Sequence, residues 1–462
     1  MRCPDVRALV LVGAAVLAGC APTVIWTGHT ADRRHAIEIA AGDGVQWVAV
    51  DGARRAGYKQ IAAWSIVTGA PDRVVYAAAV GGDWVVVDDG RRGPAWTGIG
   101  EIAIAGHRTA YSAERGGRWH VVVDGVAGAA WDSLLASTLR FSADGAHVVY
   151  VARDSQGAHV VVDGRAGSAW PGAAQLVVSP SGAHVAYAAR VGETWRVVVD
   201  GVAGPTASAV RWLAFAGETP VYAATGPDGV RVVLGATPSE PYRAVRALVT
   251  SGGHAAWIAR DGEGDLAACD GAIVGRAATL AEGRLAVVRG CELAYGAQDG
   301  AAWRVVTRAG ADDAYDEVGT LVVASGHLAY AARRGATWQI VVDGQAREGG
   351  SLVGDPVLSP DGARVGFVAR RGRWVAVVDA RVVPFDLVME GTLAFSADGQ
   401  RWAVLAGELA TERLFFALDG TRRIPLASAE VYSAAAQFSA TSPFGDHGDI
   451  LRRWTAAEAN KP

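Results

Sequence analysis

The chain repeats itself, and that narrows its possible folds more than any other feature. RWHVVVDGVAGAAWDSL at 118–134 returns as TWRVVVDGVAG at 194–204 and as TWQIVVDGQA at 337–346. A second recurring segment reads FSADGAHVVYVAR at 141–153, SPSGAHVAYAAR at 179–190 and SPDGARVGFVAR at 359–370. An aromatic in this segment stands 13 residues before the Asp of the other, as in Tyr76/Asp89, Tyr111/Asp124, Tyr150/Asp163, Tyr187/Asp200, Trp257/Asp270 and Tyr330/Asp343. The position after the Asp falls at 52, 90, 125, 164, 201, 235, 271, 310, 344, 380 and 420, which makes eleven copies 34–40 residues apart. A period of this size means a solenoid, a propeller or another stacked array.

Within a copy the signals are those of four short strands, here lettered a to d. Strand a is typified by Leu393–Ser396 and ends in an Ala-Asp-Gly or Pro-Asp-Gly turn. Strand b runs from His147 to Ala152. A polar, glycine-bearing hairpin leads to strand c, as at Trp119–Val123, and Asp124-Gly125 suits a tight turn with positive φ. Strand d is typified by Ala130–Leu134. Strand c is a continuous apolar run, so both of its faces are expected to be buried. A radial stack of four-stranded antiparallel sheets supplies that environment. The expected fold is therefore all-β, a β-propeller of about eleven four-stranded repeats of about 37 residues. Eleven exceeds the usual four to eight blades of one ring. Two consecutive propellers are expected, with one unusually large or open ring as the alternative. The degenerate copies at 215–245 place the division, giving a first group of blades at 20–238 and a second at 239–440. Residues 429–440 are expected to supply a closing strand, and 441–462 a loosely ordered tail.

The motif Leu-x-Phe-Ser-x-Asp-Gly-x-x-x-x-Tyr, present at 139–150, resembles the WD40-like propeller repeats of TolB and its relatives in bacterial envelopes. Ser179-Pro180-Ser181-Gly182 and Ser359-Pro360-Asp361-Gly362 match it most closely. The resemblance covers roughly residues 25–430 and implies a fold, not a task, because propellers host many functions.

The N-terminus carries an address. Arg2 and Arg7 precede an apolar segment from Ala8 to Ala18, too short to span a bilayer, which ends in Leu17-Ala18-Gly19-Cys20. This resembles the lipobox of bacterial lipoproteins. The resemblance implies a signal peptide at 1–19, a diacylglycerol thioether on Cys20, and attachment of the mature chain to a membrane. Ala21, not Asp, follows the Cys. In a cell with two membranes that implies the outer one, facing the periplasm. Of the remaining cysteines, Cys269 and Cys291 occupy apolar strand-like positions in adjacent repeats. An oxidising compartment permits a bridge between them, yet buried free thiols are the expected state.

Composition closes off other classes. With 51% hydrophobic and 19% charged residues the chain is too apolar to be disordered. A net charge of −4 lacks the basic surplus of a general nucleic-acid binder. There is no nucleophile elbow, P-loop, dinucleotide fingerprint, His-Glu-x-x-His or CxxC spacing, so no catalytic residue, metal or cofactor is expected. The recurring Asp of the c–d turn reads as turn geometry. Two sets of charges flank strand b. Three residues before the strand-b aromatic position stand Arg73, Arg108, His147, His184, His254, His327, Arg364 and Arg401. Three residues after it stand Arg153, Arg190, Arg260, Arg333 and Arg370, which form a candidate anion-binding ring. The plainer reading is that they solubilise the rim, with Asp154, Glu193 and Asp261 nearby in sequence as partners. The expected function is a non-catalytic platform for an envelope protein, a peptide or a glycan. The rival is a hydrolase or lyase acting at the propeller mouth.

Overall fold

The computed structural model describes residues 23–29, 36–69, 73–396, 398–410 and 413–425. The signal segment, Cys20, the closing strand at 429–440 and the tail lie outside the described residues. Within them the chain forms eleven antiparallel sheets, one per sequence repeat, each in the order a-b-c-d. In the fifth sheet these strands are Gly172–Val178, Val185–Val191, Thr194–Val199 and Val202–Ala207. The chain is a β-propeller protein. Among the described residues no helix is long and apolar enough to cross a membrane.

Strands b and c are central and buried, as their continuous apolar composition requires. The strand-b aromatic is buried throughout: Tyr76 and Tyr330 are fully inaccessible, and Tyr111, Tyr150, Tyr187, Trp257 and Phe367 nearly so. Each ring leaves its own sheet and packs on strands b and c of the preceding one. Tyr187 lies against Val149, Val151 and Val160, Tyr330 against Ala294 and Val305, and Phe367 against Ala329 and Ile340. Small residues on strand b, such as Ala186 and Ala188, make room for the next ring. The hydrophobic core is thus a series of like layers between sheets. The layer between the sixth and seventh sheets joins Val221 and Val232 to Val245, Leu248 and Trp257, so packing of the same kind crosses residues 238–239.

Strand a departs from the regular pattern at one equivalent place in every sheet. In some sheets its register slips, as between Ile99 and Ile102, Ala174 and Val177, or Arg211 and Ala214. In others it is split into two pieces, as at Ser133–Leu134 and Arg140–Phe141. At the breaks Gln175 and Trp212 take positive φ, 51° and 53°, a conformation uncommon for residues with a side chain.

The layered core sets the first expected outcome. Tyr150→Ala or Tyr187→Ala removes a large ring from between two sheets and should cost about 3–5 kcal/mol in equilibrium urea unfolding. Ring burial between sheets is refuted by a loss below about 1 kcal/mol at both sites.

Candidate functional site

The strongest recurring polar feature lies at the turns. In each regular copy the c–d turn Asp adopts the left-handed conformation, with φ from 46° to 56° across Asp124, Asp163, Asp200, Asp270, Asp343, Asp379 and Asp419. A glycine or alanine follows it. The Asp then closes a small ring on its own strand b. In the fourth sheet the Asp163 N–H donates to Val148 O at 2.9 Å. The Val148 N–H donates to Asp163 Oδ1 at 2.9 Å, and His147 Nδ1 lies 2.6 Å from Oδ2. His184 with Asp200, His254 with Asp270 and His327 with Asp343 repeat the arrangement at 2.7 Å. Arg108, Arg364 and Arg401 substitute a guanidinium, donating through Nε to Asp124, Asp379 and Asp419. Apart from Arg73, the charges at this position are therefore half of a structural clasp, and the turn Asp is the other half.

The arginine version reaches further. Arg108 Nη1 donates to Gly145 O and Ala146 O in the a–b turn of the next sheet, and Arg364 does the same to Gly399 O and Gln400 O. Arg73 pairs with Asp88 and donates to Gly106 O and Arg108 O. The a–b turns carry their own bracing. Ser359 Oγ donates to Asp361 Oδ1 at 2.5 Å and accepts the Arg364 N–H at 2.9 Å. In the fifth sheet Ser181 replaces that Asp, and Glu218 from the next turn accepts its hydroxyl at 2.6 Å.

These bonds hold carboxylates ionised. Burial pushes Asp163 upward, but the hydrogen bonds from His147 and the Val148 N–H outweigh it and leave the group below its ordinary range. Asp88 behaves likewise: burial raises it, while Arg73 and Thr109 bring it down further. A carboxylate depressed in the fold stabilises it above the unfolded pKa, and that contribution is lost as the pH falls through the folded value. Asp163→Asn should therefore be less stable than wild type at pH 7. The gap should close below about pH 4, which urea titrations at the two pH values read directly. A gap independent of pH would remove the clasp from the account.

The five arginines after strand b fall at equivalent positions in the fourth, fifth, seventh, ninth and tenth sheets, next to the b–c hairpins. Their surroundings differ. Arg153 donates to Pro171 O at 2.8 Å and Arg190 to Gly192 O at 3.0 Å. Arg260 donates to Asp265 Oδ1 at 2.6 Å, and Arg333 to Glu317 Oε2 at 3.3 Å. Arg370 is exposed, with no ion pair among the described residues. Two of the three acids that sequence proximity suggested are engaged elsewhere, Asp154 with His159 and Asp261 with Arg276. Asp265 is wholly buried and also receives Arg246 Nη1 at 3.1 Å and the Leu280 N–H of the next sheet at 2.9 Å. Removing Arg260 strips a buried carboxylate of one cation, which is costly, whereas rim charges contribute little. Arg260→Ala should lower the thermal midpoint clearly, with Arg370→Ala indistinguishable from wild type. Equal midpoints would overturn this distinction.

The breaks in strand a form a second line of polar contacts that sequence reading missed. Glu101 accepts the main-chain N–H groups of Ser137 and Leu139 in the next sheet. Gln175 donates to Val210 O and accepts the Leu213 N–H. Arg284 donates to Val318 O, and Asp355 accepts the Thr320 N–H. The available signal was a polar residue inside an otherwise apolar strand a. A cavity of about 600 Å³ opens along this line between the second, third and fourth sheets. Val67, Ile102, Leu134, Leu135, Leu139 and Tyr150 are among its lining, and its one lining carboxylate, Glu101, is already bonded to main chain.

The two thiols correct the expectation of free cysteines. Cys269 is buried at the end of strand c of the seventh sheet, but Cys291 lies in the a–b turn of the eighth, and the two form a disulfide with Cα atoms 5.7 Å apart. Cys291 had looked like a strand position, and stacking of the turns brings it over the neighbouring strand end.

No family model matches the chain, and no curated protein does. Several solved structures align with it at low identity. A eukaryotic initiation factor is 11% identical with a TM-score of 0.36, over 77% of this chain and 96% of that one. The Dos1 propeller is 11% identical with a TM-score of 0.29, over 61% of this chain and 90% of that one. TolB from Acinetobacter baumannii is 12% identical with a TM-score of 0.24, over 47% of this chain and 64% of that one.

Proposed function

We propose that this protein is a lipid-anchored, non-catalytic binding platform of the bacterial cell envelope, attached through Cys20 and facing the periplasm. The observation that carries the reading is how the polar side chains are used. Most of the acids, histidines and arginines that recur along the array bond to one another or to main chain, Arg370 being the exposed exception. Catalysis requires groups with perturbed pKa values converging in a pocket. The acid lining the 600 Å³ cavity instead braces the backbone. What the cavity offers is apolar wall, which suits a side chain of a protein or peptide better than a polyhydroxylated glycan. The rigid sheets would hold this wall in place while turns from several sheets contact the rest of the partner.

Two measurements test the reading. Cys20→Ser should abolish both incorporation of a clickable fatty acid and membrane association, and equal labelling of the two proteins refutes the anchor. Leu135 lines the cavity and is 48% exposed, so Leu135→Glu should leave the thermal midpoint unchanged. Crosslinking in envelope membranes should then capture a specific protein with wild type, and with the variant at about tenfold lower yield, the loss expected for one anchor worth at least about 1.4 kcal/mol. Equal capture by both removes the cavity as the docking point.

A further inference from the structure

The disulfide does not stand alone. The His254–Asp270 clasp of the seventh sheet lies directly beside it. Cys291 Sγ is 3.2 Å from Asp270 Oδ2 and 3.7 Å from His254 Nδ1, while those two atoms are 2.7 Å apart. The four ligand-type atoms of His254, Cys269, Asp270 and Cys291 all lie within 4.8 Å of one another. We propose that, once the disulfide is reduced, these four side chains form a tetrahedral site for a soft divalent cation of the zinc type, so that this junction alternates between a covalent staple and a metal staple.

The chemistry matches the donors. Zinc takes Cys at about 2.3 Å and His or carboxylate at about 2.0–2.2 Å, which puts neighbouring ligand atoms about 3.3–3.8 Å apart around the ion. The separations of Cys291 Sγ from His254 Nδ1 and Asp270 Oδ2 are already close to such edges. Reduction by a dithiol delivers two electrons and two protons to the disulfide, leaving two thiols and one oxidised dithiol. Cation binding then releases the two thiol protons, and two thiolates, one carboxylate and a neutral imidazole surround the ion. Three of the four ligands are positioned by the seventh sheet: His254 opens strand b, Cys269 ends strand c, and Asp270 holds the left-handed turn between c and d. The fourth arrives from the neighbouring sheet, so the ion would bridge the two as the disulfide does. The remaining His–Asp clasps act as internal controls. Where the seventh sheet has Cys269, the fourth, fifth and ninth have Val162, Val199 and Val342, so those pairs lack the thiolates that select zinc.

Cobalt substitution tests this on the mature chain. After reduction, wild type should bind one Co²⁺ per chain, with visible d–d absorption and near-ultraviolet thiolate-to-cobalt charge transfer, both displaced by Zn²⁺. Zn²⁺ should also shield both thiols from an aromatic disulfide reagent. The oxidised chain should show neither effect. His254→Ala or Asp270→Asn should weaken binding about 10–100-fold or more, a range seen even for residues that only support a ligand shell, while His184→Ala leaves it unchanged. The proposal is overturned if reduced wild type binds no more Co²⁺ than the Cys269→Ser/Cys291→Ser double variant. It is equally overturned if His254→Ala and Asp270→Asn, folded by circular dichroism, bind as wild type does. Those two variants keep the test decisive should the double serine variant fail to fold.

Discussion

Everything in this molecule depends on burial between sheets. A four-stranded sheet with apolar residues on both faces has no stable existence by itself in water, because one face at least stays wet. Here strands b and c of the sheets inside the array are covered by the neighbours on either side, and the strand-b aromatic reaches across to fill the space above Val and Ala of the sheet before it. Stability is then approximately a sum of such layers, each dependent on the next. That explains why the aromatic and the small residues of strand b recur in every good copy while residues of the b–c hairpins vary.

Close stacking of apolar layers leaves the polar groups at strand ends with a problem of satisfaction, and the molecule meets it by repetition. The turn Asp serves three functions with one side chain. It tolerates the left-handed conformation, accepts a main-chain N–H through Oδ1, and takes His or Arg through Oδ2. Arginine adds a link to the next turn, which histidine is too short to make. At the seventh and eighth sheets a disulfide supplies that link instead. The breaks in strand a do comparable work elsewhere, since Glu101, Gln175, Arg284 and Asp355 each reach the backbone of an adjoining sheet. Tertiary order thus rests on polar ties at sheet ends as well as on apolar layers between faces.

The same accounting separates residues that a repeat makes look alike. The five arginines after strand b share a register position, yet one supports the buried carboxylate of Asp265, one meets exposed acids, two bond to main chain and one faces solvent. Equivalence of position did not bring equivalence of environment. The acid that matters for Arg260 sits directly across the b–c hairpin on strand c, not beside it in the loop. An antiparallel pair places facing residues closer than sequence neighbours whose side chains point to opposite faces.

Sequence alone determined the strand count per repeat, the number of repeats, the buried aromatic and the turn role of the recurring Asp. Each depends on local periodicity and turn chemistry, which a chain carries in its own order of residues: a continuous apolar run such as Val121–Val123 must be covered on both faces, and Asp124-Gly125 must turn. The tertiary structure decided what depended on stacking. The clasp between His147 and Asp163 joins residues 16 apart, and the period alone could not show that they face each other. The slip in strand a leaves little trace in composition, because it shifts pairing without changing residue type. The cavity at Glu101 and the meeting of Cys269 and Cys291 arise between sheets, where distance is set by how closely the layers pack. The proposed anchor at Cys20 is the reverse case: it rests wholly on sequence, because a lipobox is a short linear motif and not a product of the fold.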